Sequence, residues 1–312
     1  MFAGIEPYTS GFLSVGEGNE IYWEVSGNPK GKPALYLHGG PGGGISGGYR
    51  KHFDPAKFMI VSFEQRGCGR SRPGVGDADF DLSTNTTQHL IADIEKLREH
   101  LGVKDWLLYG ASWGTTLALA YAIAHPDRVR GIILAAVTTT SAEDVKWLVE
   151  DMGRIFPEAW EKFAQASGAQ TGERIIDAYY RKLISFDKAV RDQAALDWCA
   201  WEDVHISLKP DYQPDPMFKD LKFAVPFATL VVHYWRSAAF LGDSIRKDLG
   251  RITHIPAVLI HGRRDISSPM STPYQLHKAW PGSKFVVIEE EGHGGKIMGN
   301  EISKAVTLLT IN

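Results

Sequence analysis

The chain of 312 residues carries 34 lysines and arginines against 37 aspartates and glutamates, a net charge of −3 with histidine neutral. That balance offers no global field to nucleic acid or to an anionic membrane, so neither is expected as a partner. A hydrophobic fraction of 44% suits a globular protein with a sizeable core, and no apolar run approaches the roughly 18 residues of a membrane span. The opening M-F-A-G-I-E-P-Y lacks the basic and then apolar order of a secretory signal. The two cysteines, Cys68 and Cys199, lie far apart and lack metal-ligand spacing, so a disulfide framework is not expected. The expected location is the cytoplasm.

Glu20 to Ser26 reads as a strand, as does Pro33 to Leu37, which runs into the glycine-rich H-G-G-P-G-G-G of residues 38–44. A strand at Phe58 to Phe63 precedes E-Q-R-G-C-G-R-S. Leu90, Ile91, Ile94, Leu97 and Leu101 recur at helical spacing within Thr86 to Leu101, and Gly102 is a stop signal. Trp106 to Tyr109 reads as a short strand, Gly110 to Gly114 as a tight turn and Thr115 to Ala124 as a helix. Val129 to Val137 is almost continuously apolar, as suits a strand buried on both faces of a parallel sheet.

From Thr138 to about Asp248 strand patterns vanish, helical ones dominate, and Trp147, Trp160, Tyr179, Tyr180, Trp198, Trp201, Tyr234 and Trp235 crowd the segment. Alternation resumes with a strand at Ile255 to His261, a helix near Thr272 to Trp280 and a strand at Lys284 to Glu289. The expected organisation is an α/β core from residues 1–137 and 249–312, with a helical cap of residues 138–248 inserted over the sheet's C-terminal edge. The fold class expected is an α/β hydrolase with a mostly parallel central sheet.

Gly110-Ala111-Ser112-Trp113-Gly114 matches G-x-S-x-G, between an apolar strand and a helix of small residues. A sharp strand-to-helix turn lifts the hydroxyl above the sheet at a helix N-terminus, where developing negative charge is favoured. A serine hydroxyl needs a base, and the base needs a partner to fix its tautomer. In this context the order along the chain is serine, acid, histidine. Asp265 in G-R-R-D and His293 in E-G-H-G-G each follow a strand and keep that order. The plain alternatives are a helix-capping Asp265 and a loop histidine at 293. The H-G-G-P-G loop suits an oxyanion hole, with the N–H groups of Trp113 and Gly40, or else Gly39, as donors. A phosphate loop fits poorly, because no G-x-x-x-x-G-K-[ST] or spaced G-x-G-x-x-G is present. His38 reads as structural rather than as a second base.

These segments resemble the prolyl iminopeptidases (proline aminopeptidases), a family of α/β-hydrolase serine peptidases. The resemblance rests on H-G-G-P-G-G-G at 38–44, Q-R-G-C-G-R-S at 65–71, G-A-S-W-G-T-T-L-A-L at 110–119, G-R-R-D at 262–265 and G-H at 292–293. It extends into the cap through W-C-A-W-E at 198–202 and H-Y-W at 233–235. It implies release of an unblocked N-terminal proline from small peptides with a free N-terminus, and no cofactor or metal. It also implies that Glu202, the W-x-x-W-E glutamate, anchors the substrate amine; the plainer reading is an exposed helix charge. Where the family has a second glutamate two residues before H-Y, this chain has Val231, which weakens the expectation for proline. Glu64 replaces an aspartate before Q-R-G, and Gly294 replaces the serine after the histidine. Cys68 reads as a packed small residue or as a thiol near the site.

An esterase or amidase for small uncharged acyl substrates would use the same three residues, and Val231 favours it. A non-catalytic receptor on this scaffold fits poorly with a complete set of groups. Epoxide hydrolase and dehalogenase chemistry needs a carboxylate where Ser112 stands.

Overall fold

A computed structural model describes residues 1–206, 208 and 212–311. The chain opens with β1 (Thr9–Gly16) and β2 (Asn19–Gly27), followed by β3 (Lys32–Leu37) and β4 (Phe58–Phe63). Then come α1 (Thr87–His100), β5 (Trp106–Ala111), α2 (Trp113–Ala124) and β6 (Val129–Ala135). A helical block intervenes: α3 (Ala142–Val149), α4 (Pro157–Ser167), α5 (Ile175–Leu183), α6 (Lys188–His205), α7 (Leu221–Arg236) and α8 (Ser244–Asp248). The chain returns to the sheet through β7 (Ala257–Gly262), α9 (Ser271–Ala279), β8 (Ser283–Ile288) and α10 (Lys296–Ile311).

The eight strands form one sheet in the order β1-β2-β4-β3-β5-β6-β7-β8. β1, β2 and β4 pair antiparallel, and every pairing from β4 to β8 is parallel. Successive side chains on a strand face opposite sides, so a strand covered twice must be apolar throughout. Ile132 and Leu134 of β6 join the apolar cluster beneath α1 and α2, whereas Ile133 and Ala135 join the one beneath α10. A third cluster lies among the intervening helices, where the Phe163 ring stacks on Tyr179 at 4.7 Å and on Trp201 at 5.1 Å. The aromatic density of this segment therefore builds the cap's own core.

The expected strands and helices all appear, with ends displaced by a few residues at most. β1 and α10 were not anticipated. β1 is an edge strand whose side chains are mostly exposed or half-buried, so its apolar pattern is weak. The signal for α10 was present, since Met298, Ile302, Ala305 and Val306 are buried at helical spacing. No helix among the described residues is long and apolar enough to cross a membrane.

One polar cluster bolts cap to core. At the end of α7, His233 Nε2–H donates to the Asn85 carbonyl oxygen at 2.7 Å, and the Tyr234 hydroxyl donates to Asn85 Oδ1. Asn85 Nδ2 in turn donates at 2.9 Å to the carbonyl of Arg66, whose guanidinium forms a two-pronged pair with buried Asp93 at 2.7 and 2.8 Å. The H-Y of the cap motif thus holds the cap in place. Asn85→Ala leaves the Tyr234 hydroxyl and the Arg66 carbonyl buried without partners, and is expected to cost about 2 kcal/mol or more in urea unfolding. An unchanged midpoint and slope would show that the cluster contributes nothing to stability.

Candidate active site

Four loops leave the C-terminal ends of β3, β5, β7 and β8 and meet at one edge of the sheet. Ser112 follows β5 with φ 54° and ψ −126°, a region that L residues seldom adopt, and α2 begins at the next residue. The turn is this tight because Gly114 lies against β3: a Cβ there would stand 2.0 Å from the Leu37 carbonyl oxygen. Asp265 lies three residues beyond β7 and His293 five beyond β8.

The structure brings Ser112, His293 and Asp265 together. His293 Nε2 is 2.9 Å from Ser112 Oγ, and His293 Nδ1–H donates to Asp265 Oδ2, also at 2.9 Å. Asp265 is 0% exposed at its side chain, and His293 20%. Burial opposes the charge on Asp265, yet His293 and the Ser268 N–H (3.1 Å from Oδ1) outweigh it and hold the carboxyl below its usual range. Burial likewise opposes charge on His293, but Asp265 and then Glu202 overcome it, and the imidazole sits above its ordinary value. His261 is locked neutral: Nδ1 accepts from the Val137 N–H and Nε2–H donates to the Ser268 carbonyl, both at 2.9 Å. Burial pushes its pKa down.

Gly40 and Ser112 line one cavity of about 230 Å³, to whose wall α6 and α7 also contribute. Gly40 has φ 108°, and a Cβ there would stand 2.6 Å from the Gly43 nitrogen, so only glycine fits. Trp113 is the first residue of α2, and its N–H has no carbonyl one turn back to bond. Gly39 lies against Ser112 from the other side, and its carbonyl accepts from His38 Nδ1–H and the Gly43 N–H. A second opening of about 480 Å³ reaches Ser112 and His293 there, past Gly39, Lys51 and His52.

Glu202 is carried by α6 into the first cavity. The Trp198 indole N–H, one turn earlier, donates to Glu202 Oε1 at 3.0 Å, and the side chain is 13% exposed. Burial pushes its carboxyl up to about 7, against the pull of Trp198 and His293. It is not an exposed helix charge. Val231 lies in the cap's apolar cluster on α7. Glu64 is buried and pairs with Arg70 at 2.8 Å. Cys68 is packed, its Sγ–H donating to the Gln65 carbonyl at 3.2 Å, and burial pushes its thiol pKa up.

Two residues at the site escaped the sequence reading. His205, three residues after Glu202 on the same helical face, lines the cavity, and that spacing was the available signal. Gln65 ties the glycine loop to the elbow. Its Nε2 donates to the His38 carbonyl at 3.0 Å, its N–H donates to His38 Nε2 at 3.1 Å, and its Oε1 accepts from the Trp113 indole at 2.9 Å. His38 is therefore a neutral strut, its pKa lowered by burial.

Residues 32–298 match the α/β hydrolase fold family. The chain is similar to a protein of Streptomyces coelicolor named "probable proline iminopeptidase", 42% identical over 98% of this chain and 96% of that one. It is also similar to the proline iminopeptidase of Neisseria meningitidis serogroup B, 42% identical over 92% and 91% of the two chains. Among solved structures, an esterase from Exiguobacterium antarcticum shares the fold with a TM-score of 0.64 and 21% identity, over 97% of this chain and 99% of that one.

Gln65→Leu frees the glycine loop from Trp113 while keeping the side chain's bulk. Donors displaced from a developing oxyanion weaken only the transition state. The expected result is a fall in kcat of about tenfold to a hundredfold with KM little changed, measured on any ester or amide the enzyme turns over. An unchanged kcat would show that the Gln65 bridge does not position these groups.

Proposed function

The chain belongs to the proline iminopeptidase family of the α/β-hydrolase fold, and from that premise we propose that it is a serine exopeptidase releasing an unblocked N-terminal proline from small peptides. Residues 138–248 serve as the cap domain that shapes the substrate cavity over a core of residues 1–137 and 249–312. Ser112 Oγ attacks the prolyl carbonyl carbon as its proton passes to His293 Nε2. Asp265 keeps the Nδ1–H tautomer and stabilises the imidazolium. The N–H groups of Gly40 and Trp113 receive the negative oxygen. His293 then hands its proton to the departing amine, and the shortened peptide leaves by the opening beside Lys51 and His52. Water, deprotonated by His293, opens the prolyl ester on Ser112 and frees proline.

The observation that carries this reading is a single carboxylate, Glu202, buried in the cavity of the Ser112 hydroxyl with no lysine or arginine paired to it among the described residues. A charge in that position calls for a cationic ligand, and the ammonium of an unblocked proline supplies one. An uncharged acyl substrate would leave Glu202 uncompensated, so the esterase reading, which Val231 favours, is the weaker one.

A chromogenic proline amide, its N-acetylated form and a simple acyl ester separate the two. The enzyme should hydrolyse the free amine and discriminate strongly against the acetylated form. Glu202→Gln should raise KM for the free amine about tenfold or more. The pH dependence carries the same information. His293 must be neutral and Glu202 ionised, both groups are shifted up, and Glu202 lies at about 7. Activity on the free amine should therefore fall steeply as pH drops through 7, and less steeply on the ester or in Glu202→Gln. Equal rates on free and acetylated amides would refute the peptidase reading.

A further inference from the structure

Oε1 of Glu202 accepts the Trp198 indole N–H, and Oε2 is its oxygen without a donor among the described residues. The ammonium of an N-terminal proline carries two N–H donors, and a buried donor without an acceptor is costly. Val231, on the neighbouring helix α7, is enclosed in an apolar cluster and offers no acceptor.

His205 stands one helical turn beyond Glu202, with its side chain 0% exposed, and it lines the same cavity. In the tautomer that lets Ser267 bond both groups at once, His205 Nδ1–H donates to Ser267 Oγ at 2.8 Å and the hydroxyl donates to the His205 carbonyl oxygen at 3.2 Å. That tautomer leaves Nε2 as a bare lone pair. It has no hydrogen-bond partner among the described residues and lies 3.5 Å from Glu202 Oε2. Two acceptors side by side in this cavity, with no donor between them among the described residues, form a site for a cation bearing two N–H groups.

We propose that His205 Nε2 is the second acceptor for the substrate ammonium, so that one carboxylate and one neutral imidazole recognise the N-terminal proline in this chain. The inference rests on the peptidase reading above. The partners match in charge as well as in number: one negative group meets one positive one, and the imidazole adds an acceptor without a second charge to desolvate. Burial keeps His205 neutral, with its pKa pushed down to about 3, so it does not repel the ammonium. A primary ammonium brings a third N–H, for which the pair holds no separate acceptor atom, and this favours proline over alanine.

The test compares His205→Phe, which keeps a ring and removes both nitrogens, with His205→Gln, which returns an acceptor oxygen near the Nε2 position. Each is assayed on a chromogenic proline amide, the matching alanine amide and an uncharged acyl ester. For His205→Phe, kcat/KM on the proline amide relative to the ester should fall about tenfold to a hundredfold, mainly through KM, and the preference for proline over alanine should narrow. His205→Gln should recover most of both. A wild-type ratio in His205→Phe, beside a reduced one in Glu202→Gln, overturns the inference and leaves Glu202 as the sole anchor. If His205→Phe turns over none of the three substrates, His205→Gln decides: a near-wild-type ratio supports the acceptor, and a collapsed ratio with intact ester turnover overturns it. Failure of the wild-type enzyme to prefer the free over the acetylated proline amide would instead remove the peptidase reading itself.

Discussion

The contact on which the site depends is the packing of the elbow after β5 against the end of β3. Gly114 sits so close to the Leu37 carbonyl that no side chain fits between them, and this closeness turns the chain sharply enough to hold Ser112 at φ 54°. The same contact brings the glycine loop after β3 beside the first N–H of α2. The proposed nucleophile and oxyanion donors are therefore set by one piece of backbone packing, which Gln65 reinforces through hydrogen bonds to both sides. Side chains built on the ends of buried strands are held more firmly than side chains on free loops, as a preorganised site requires.

Electrostatics joins the core to the cap. Asp265 is fully buried and keeps its charge because His293 and a backbone N–H hold it. Glu202 enters the cavity from α6 and raises the imidazole's proton affinity further, while the imidazole lowers that of Glu202. An ammonium arriving at Glu202 would neutralise that carboxylate and return His293 toward the value set by Asp265 alone. Substrate binding and the strength of the base are coupled in the proposed mechanism. The coupling needs the cap fixed over the sheet, which is what Asn85, His233 and Tyr234 do.

Much of this was legible in the sequence, for physical reasons that differ by element. The inner strands announced themselves because burial on both faces makes their central positions apolar without a break, as in Ile132 to Ala135. Ser112 and Asp265 stood out because each follows such a strand, and His293 because it follows the apolar F-V-V-I of the edge strand β8; parallel strands deliver their C-terminal ends to one edge. The edge strand Thr9–Gly16 gave little signal, since few of its side chains need be apolar. Glu202 was visible only through a resemblance; nothing in its helical spacing separates a buried carboxylate from a solvated one. His205 was harder still. Its meaning lies in a tautomer set by Ser267, more than sixty residues away, and no local pattern carries that. Gln65 sat inside a recognised motif, but its work of joining two loops is a three-dimensional fact.

The central claim is that Ser112 is made nucleophilic by His293 under the orientation of Asp265. Reaction of the purified enzyme with a fluorophosphonate, followed by intact mass and peptide mapping, tests it most directly. The account predicts one adduct per chain, on Ser112, forming at least about a hundredfold more slowly in His293→Ala and in Asp265→Asn. An adduct on a different serine, or an equal rate of labelling in the His293 variant, would contradict it.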